Sequence, residues 1–137
     1  MLKRNVTVVA ALAAAYLFSP AAFAKAEIPA DAKAMENPVE ADDDVLKAAK
    51  KLYKKKCKKC HGSKGNGKGP GAKDMDPMPP DWTGGIDRTD GELFWITMHG
   101  SEGTEMKPWM AGKAKKGKEL TDEQVWGLVH YIRSLVQ

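Results

Sequence analysis

The sequence predicts a small all-α domain with long loops. Three segments repeat apolar residues at helical spacing, and no segment of any length alternates apolar and polar residues as a half-buried strand would. The stretches between the helical segments are rich in glycine and proline, which interrupt regular structure. With 137 residues the chain has the length of one domain.

Residues 1–24 read as a secretory signal peptide. Lys3 and Arg4 supply the charged start, residues 6–18 are almost entirely apolar, and Ala22-Phe23-Ala24 has the small-x-small form of a cleavage site. The apolar run is too short to span a bilayer comfortably, so we expect no transmembrane anchor in the mature chain. The mature protein would be exported, to the periplasm or another extracytoplasmic compartment.

An acidic arm and a domain follow the predicted signal peptide. Residues 25–44 contain acids, alanines and prolines without an apolar period, and we expect an extended or loosely packed arm. The domain is predicted to cover residues 45–137. Its first helix runs through residue 56, with three aspartates placed before it where the helix dipole favours negative charge.

Two further helices are marked by capping boxes, in which a hydroxyl and a side-chain carboxylate or amide satisfy reciprocal backbone donors. Thr89 and Glu92 open the second helix, which Gly100 ends. Thr121 and Gln124 open the last helix. Its apolar stripe consists of Val125, Leu128, Val129, Ile132 and Val136, with Trp126 and Leu135 at the border. The loop at residues 62–85 holds seven glycines and four prolines.

The segment Cys57-Lys58-Lys59-Cys60-His61 has the C-x-x-C-H form of a haem attachment motif. Two thiols one helical turn apart can add to the two vinyl groups of one haem, and the adjacent imidazole can then bind the iron. A redox C-x-x-C would need a βαβ setting, which this sequence lacks. A structural zinc site would need four ligands, and no second cysteine pair exists. The motif therefore predicts one covalently bound haem c with its iron.

From about residue 45 to the end, the sequence resembles the class I c-type cytochromes, the monohaem cytochrome c family. The resemblance rests on the motif at 57–61, the glycine-rich loop at 62–70, a methionine within residues 103–109 and the C-terminal segment at 122–135. It implies the small cytochrome c fold, with the first and last helices of the domain packed across one another. The haem would lie in a crevice between the loops.

A methionine is expected as the sixth iron ligand, because a thioether fills the coordination position and favours the reduced state. Met106 aligns with the ligand loop of the resembling family, and Met110 is its main rival. Met75 and Met78 follow the motif closely and are expected on the histidine side of the ring. Met98 lies within a helix, where core packing is the simpler role. His99 and His130 are expected at the surface or at the edge of the pocket.

The resemblance also suggests residues that support the haem. Pro70 matches the proline whose carbonyl accepts the second N–H of the ligating imidazole in that family. From their placement in loops and helices, we expect Trp82, Trp95 and Trp109 to form haem walls, and ordinary core packing is the alternative role for each. Trp126 and Tyr131 are expected to pack the helices together.

Lysines concentrate around the predicted haem site. Eleven lie between Lys47 and Lys73 with no acid among them, and four more follow Met106, at positions 113, 115, 116 and 118. A basic rim would steer acidic redox partners, whereas the alternative is a merely solvated helix face. Export and a haem argue against nucleic acid as the partner, despite the basic pI.

The predicted function is a monomeric electron carrier, with no catalytic residues of its own. The alternatives are a haem-carrying subunit of a larger oxidoreductase complex, a haem enzyme and a ligand sensor. A methionine-ligated iron leaves no open position for a substrate, and no second attachment motif exists.

Overall fold

The computed structural model describes residues 27–137, and the predicted signal peptide lies outside them. The described residues contain five helices and no strand: α1 (Ala30–Lys33), α2 (Asp43–Lys56), α3 (Lys58–His61), α4 (Asp90–His99) and α5 (Asp122–Arg133). Long loops connect α3 to α4 and α4 to α5. The expected all-α fold class is confirmed.

The longer helices begin where local chemistry predicts. Asp42 caps α2, since its Oδ1 accepts from the Val45 N–H at 2.8 Å. Thr89 and Glu92 form the reciprocal capping box of α4, and Thr121 and Gln124 form that of α5. Each box satisfies two backbone donors that a free helix end would leave open.

The core forms where α2 and α4 pack against α5. Tyr53 on α2 meets Tyr131 on α5 with ring centroids 5.1 Å apart, and Phe94 on α4 stacks on Trp126 at 4.1 Å. Val125, Leu128 and Val129 are almost completely buried beside them. The predicted stripe of α5 thus faces the core, and Trp126 lies within it instead of at its border.

The final helix ends earlier than its apolar stripe suggests. Helical structure stops at Arg133, and Val136 is 41% exposed. The chain turns away because the Gln137 N–H donates to the Thr83 carbonyl at 3.1 Å. Val136 is therefore not part of the core stripe, whereas Leu135 packs against the core.

The described part of the acidic arm, residues 27–42, is mostly exposed but contacts the helices at several points. It contains α1, which packs on α4, and its Ala32 is buried. Asn37 Nδ2 donates to the Trp126 carbonyl at 3.0 Å, and a ring nitrogen of His130 lies 2.6 Å from the Val39 carbonyl. The arm is held by contacts with residues about 90 positions later, which a local apolar period does not reveal.

A glycine allows this close approach. A Cβ at Gly91 would collide with the Ala32 carbonyl oxygen and crowd Met35. The first turn of α4 can therefore lie directly against the backbone of the arm. The Thr89 hydroxyl adds to the junction by donating to the Lys33 carbonyl at 2.8 Å.

Arg133 fastens the long loop to the end of α5. Its Nε donates to Asp90 Oδ1 at 2.9 Å, and its guanidinium also donates to the carbonyls of Ile86 and Arg88. The Arg133 side chain thereby holds the segment that leads into α4.

Candidate functional site

The attachment motif lies at a break between two helices. Lys56 ends α2, and Cys57 separates it from the single turn of α3, with the His61 N–H donating to the Cys57 carbonyl at 3.0 Å. The glycine-rich loop then folds back onto this turn. The N–H groups of Gly67, Gly69 and Gly71 donate to the carbonyls of residues 61, 60 and 59, respectively. The loop thus satisfies carbonyls that the short helix leaves unpaired.

A cavity of about 250 Å³ opens beside the motif. Three stretches of chain line it: the motif with Lys56, the loop at residues 75–80, and the loop that follows α4. The lining residues are Lys56, Cys57, Cys60, His61, Met75, Pro77, Met78, Pro79, Pro80, Ser101, Thr104, Glu105, Met106, Lys107 and Trp109. The cavity surface is mostly apolar, and two thiols, one imidazole and three thioethers share it.

The imidazole of His61 is held in an apolar setting. Trp82 stacks on it, with ring centroids 4.6 Å apart and planes 12° apart. Its Nδ1 is buried without a hydrogen-bond partner among the described residues. Burial lowers the pKa of His61 to about 4, so the ring is neutral at neutral pH. Neutral imidazole is the form that binds metals.

Trp82 reaches His61 because Gly65 leaves room for it. Gly65 has φ +73°, and a Cβ there would come within 3.2 Å of the indole and 2.9 Å of Leu135 Cδ1. The Trp82 N–H also donates to the Gly65 carbonyl at 2.8 Å. The glycine therefore fixes the indole at the motif through its backbone.

The chemistry of Cys57 differs from that of a reactive redox cysteine. Burial, followed by the neighbouring Cys60, raises the pKa of its thiol to about 12, against an opposing effect of Lys56. Reactive C-x-x-C sites instead lower the pKa of one thiol so that the thiolate forms. A thioether to haem needs no standing thiolate in the finished protein. The site thus fits haem attachment better than thiol–disulfide exchange.

The structure separates the candidate methionines. Met106 lines the cavity, whereas Met110 does not and packs against the core. Met98 is buried in the core, as expected. Met75 and Met78 also line the cavity, although Met78 is half exposed. The sequence feature that indicates a cavity-lining role for Met75 and Met78 is the concentration of methionine and proline at residues 75–80, which is unusually apolar for a loop.

The other expected pocket residues occupy different places. Trp109 lines the cavity, whereas Trp82 does not line it but stacks on His61, which does. Trp95 lies outside it and stacks on His99, one turn later on α4, at 4.4 Å. Pro70 is exposed, and its carbonyl does not pair with His61 Nδ1. The α4 register thus directs Trp95 to a separate groove.

Neither remaining histidine lines the cavity. His99 Nδ1 lies 3.0 Å from the Trp95 carbonyl within α4. His130 contacts the arm through Val39, as described above. Both rings therefore have structural partners, which matches the simpler of their expected roles.

The two lysine clusters leave their charge at the surface. Every lysine between Lys47 and Lys73 is exposed except Lys56, as are the four at positions 113, 115, 116 and 118. Among residues 27–137, none of these side chains forms an ion pair. Their positive charge is therefore not neutralised by acids of the described chain.

Comparison with known proteins agrees with this geometry. The family model for cytochrome c matches residues 46–136, well over half of the chain. No curated protein matches the sequence. A similar solved structure is a chain of the Kuenenia stuttgartiensis reducing HAO-like protein complex Kustc0457/Kustc0458, with 32% identity and a TM-score of 0.60. The similarity covers 75% of this chain but only 50% of that one, so this protein spans about half its length.

The residues at the cavity fit the prosthetic group of that family. Two cysteines at the attachment spacing and a neutral, buried histidine share the mostly apolar cavity. The cytochrome c family binds haem c covalently, and Cys57 and Cys60 have the C-x-x-C-H spacing that this attachment uses. The fold, the motif and the match over residues 46–136 together establish that the chain belongs to the cytochrome c family.

Proposed function

We propose that this protein is a monohaem carrier that moves single electrons between redox partners outside the cytoplasm, and that His61 and Met106 would hold its iron. One observation carries the proposal: His61 and Met106 line the same cavity as both cysteines. Met110, the rival from the sequence, does not line it.

The bound haem supplies an iron that gains or loses one electron. The chain's own residues decide how that iron behaves. The neutral imidazole of His61 and the thioether of Met106 would hold the iron, and a thioether would favour its reduced state. The prolines at 77, 79 and 80 add to the apolar lining of the cavity. Such a site favours electron transfer over substrate binding.

The exposed lysines support protein partners with acidic docking surfaces. Lys58 and Lys59 lie within the motif itself, and Lys113 follows the Met106 loop. Unpaired positive charge of this kind raises the rate at which oppositely charged partners meet.

Within residues 27–137, no helix has both the length and the apolar character needed to cross a membrane.

Spectroscopy of the purified holoprotein tests this proposal. The oxidised form is expected to be low-spin and to show the weak red charge-transfer band of an Fe(III)–thioether bond. The reduced form is expected to bind carbon monoxide poorly. A high-spin protein that binds carbon monoxide readily would instead favour a haem enzyme or a ligand sensor.

A second candidate is an electron-transfer subunit of a larger oxidoreductase complex. The observation that favours it is the similarity to a chain of a reducing HAO-like protein complex. The two candidates separate on size: a free carrier from its native source elutes as a single chain, whereas a subunit copurifies with larger proteins after extensive salt washing.

A further inference from the structure

Lys56 differs from every other lysine of the two clusters. It is the half-buried one, and it lines the cavity. Its Nζ lies over the ring of Trp109, 5.0 Å from the centroid, and donates to the Lys118 carbonyl at 3.3 Å. The side chain thus runs from the last residue of α2 to two positions in the loop between α4 and α5.

The two positions that Lys56 contacts lie near opposite ends of one chain segment. The Trp109 N–H bonds to carbonyls at the end of α4, those of Thr97 and Met98, at 3.2 and 3.1 Å. The Trp109 carbonyl accepts from the Leu120 N–H at 2.9 Å. Residues 109–120 therefore form a loop whose ends are held together, and Lys56 contacts it at Trp109 and again at Lys118.

This loop is continuous with the proposed iron ligand. Met106 precedes Trp109 by three residues, and both side chains line the cavity. The Met106 segment is fixed on its other side, where the Ser101 N–H donates to the Met106 carbonyl at 3.1 Å. A contact that holds Trp109 therefore restrains the end of the ligand segment that leads away from α4.

We infer that Lys56 is a positioning residue that ties the Met106 loop to the end of the helix that directly precedes the attachment motif. This inference rests on the proposed function, because it assigns Lys56 the task of keeping Met106 at the iron. A cation over an indole and a charge-assisted hydrogen bond both stabilise the closed arrangement. Its place at the C-terminal end of α2 also favours a positive side chain.

The test compares three variants of the holoprotein. Lys56→Met removes the charge and keeps the apolar stem, whereas Lys56→Arg keeps a cation that can stack on Trp109. Lys54→Met is the matched control, since Lys54 is exposed on the same helix and its loss changes the net charge equally. Two quantities are measured: the affinity of oxidised protein for added imidazole, and the hydrogen-exchange rate of the Leu120 amide.

We expect Lys56→Met to raise imidazole affinity and to speed Leu120 exchange, each by about three- to tenfold. Lys56→Arg is expected to restore most of both values, and Lys54→Met to leave them unchanged. Equal effects of Lys54→Met and Lys56→Met would overturn the inference, because net charge alone would then explain them. Unchanged values in Lys56→Met would overturn it as well.

The two readouts separate this inference from the proposed function. If wild-type protein lacks the Fe(III)–thioether band, the proposed ligation fails, and Leu120 exchange then decides on its own whether Lys56 holds the loop. If the band is present but Lys56→Met changes neither Leu120 exchange nor imidazole affinity, the proposed ligation stands and the positioning role fails. If Lys56→Met does not fold, Lys56→Gln offers the same loss of charge for both measurements.

Discussion

The indole of Trp82 lies flat against the imidazole of His61, with centroids 4.6 Å apart. This contact restricts the orientation of the ring that is expected to bind the iron. Trp82→Leu is expected to lower the free energy of unfolding by about 1–3 kcal/mol, because a half-buried aromatic contact is lost. The covalent haem should remain. Thermal unfolding followed at the main haem absorption band measures the effect.

The matched control for Trp82 is Trp95→Leu. Trp95 is also half-buried, but it stacks on His99 outside the cavity. Trp95→Leu is expected to lower the free energy of unfolding without changing the haem spectrum. Trp82→Leu should change both the free energy of unfolding and the spectrum. Identical spectra in the two variants would mean that Trp82 does not orient His61.

Covalent attachment predicts a defined mass. After expression with a haem-attachment system, denatured protein should keep its haem, and its mass should equal that of the mature polypeptide plus one haem. Cys60→Ala should weaken or abolish maturation, because only one thioether can then form. A mass equal to the bare polypeptide in the wild type would contradict the assignment.

The sixth ligand is tested by a pair of methionine variants. Met106→Ala is expected to remove the red charge-transfer band, lower the reduction potential and open the iron to carbon monoxide, while the haem stays attached. Met110→Ala should leave the band in place, since Met110 does not line the cavity. The reverse pattern would assign the ligand to Met110. Loss of the band in Met78→Ala alone would assign it to the loop at 75–80.

The lysine clusters predict a salt-dependent encounter. Electron-transfer rates with acidic partners should fall as ionic strength rises. Charge reversal at Lys58, Lys59 or Lys113 should lower the association rate more than it changes the reduction potential. Lys33→Glu is a control of equal charge outside the clusters and should have less effect. An electron-transfer rate that does not change with ionic strength would indicate that these lysines are only a solvated surface.

Arg133 predicts a stability effect far from the cavity. Arg133→Met removes the hydrogen bonds to Asp90 and to the carbonyls that precede α4. We expect a loss of about 1–3 kcal/mol in the free energy of unfolding, measured by thermal or denaturant unfolding. Arg88→Met, which removes a single long ion pair with Glu92 at 3.7 Å, should change the free energy of unfolding by less than about 1 kcal/mol. Equal losses would mean that the Arg133 contacts add nothing specific.

The features that could be predicted from the sequence are those fixed by neighbouring residues. The capping boxes at Thr89 and Thr121 act within one helical turn, so their residue types predict where α4 and α5 begin. The attachment motif is equally local. The cytochrome c fold followed from these elements together with the order of the matching segments.

The features that escaped prediction depend on residues distant in the sequence. The docking of the arm rests on Asn37 and His130, whose partners lie 89 and 91 residues away. The outward direction of Trp95 depends on how α4 rotates against α5, which its uniformly apolar surface does not specify.

The pairing of α2 with α5 makes the core beside the attachment motif depend on the last helix of the chain. The attachment motif directly follows α2, whereas the helix that completes the core beside Tyr53 begins only at Asp122. Contacts between such distant segments carry the entropic cost of closing the intervening chain into a loop. Loss of α5 would therefore uncover Tyr53 beside the cysteines, although the motif itself would remain intact.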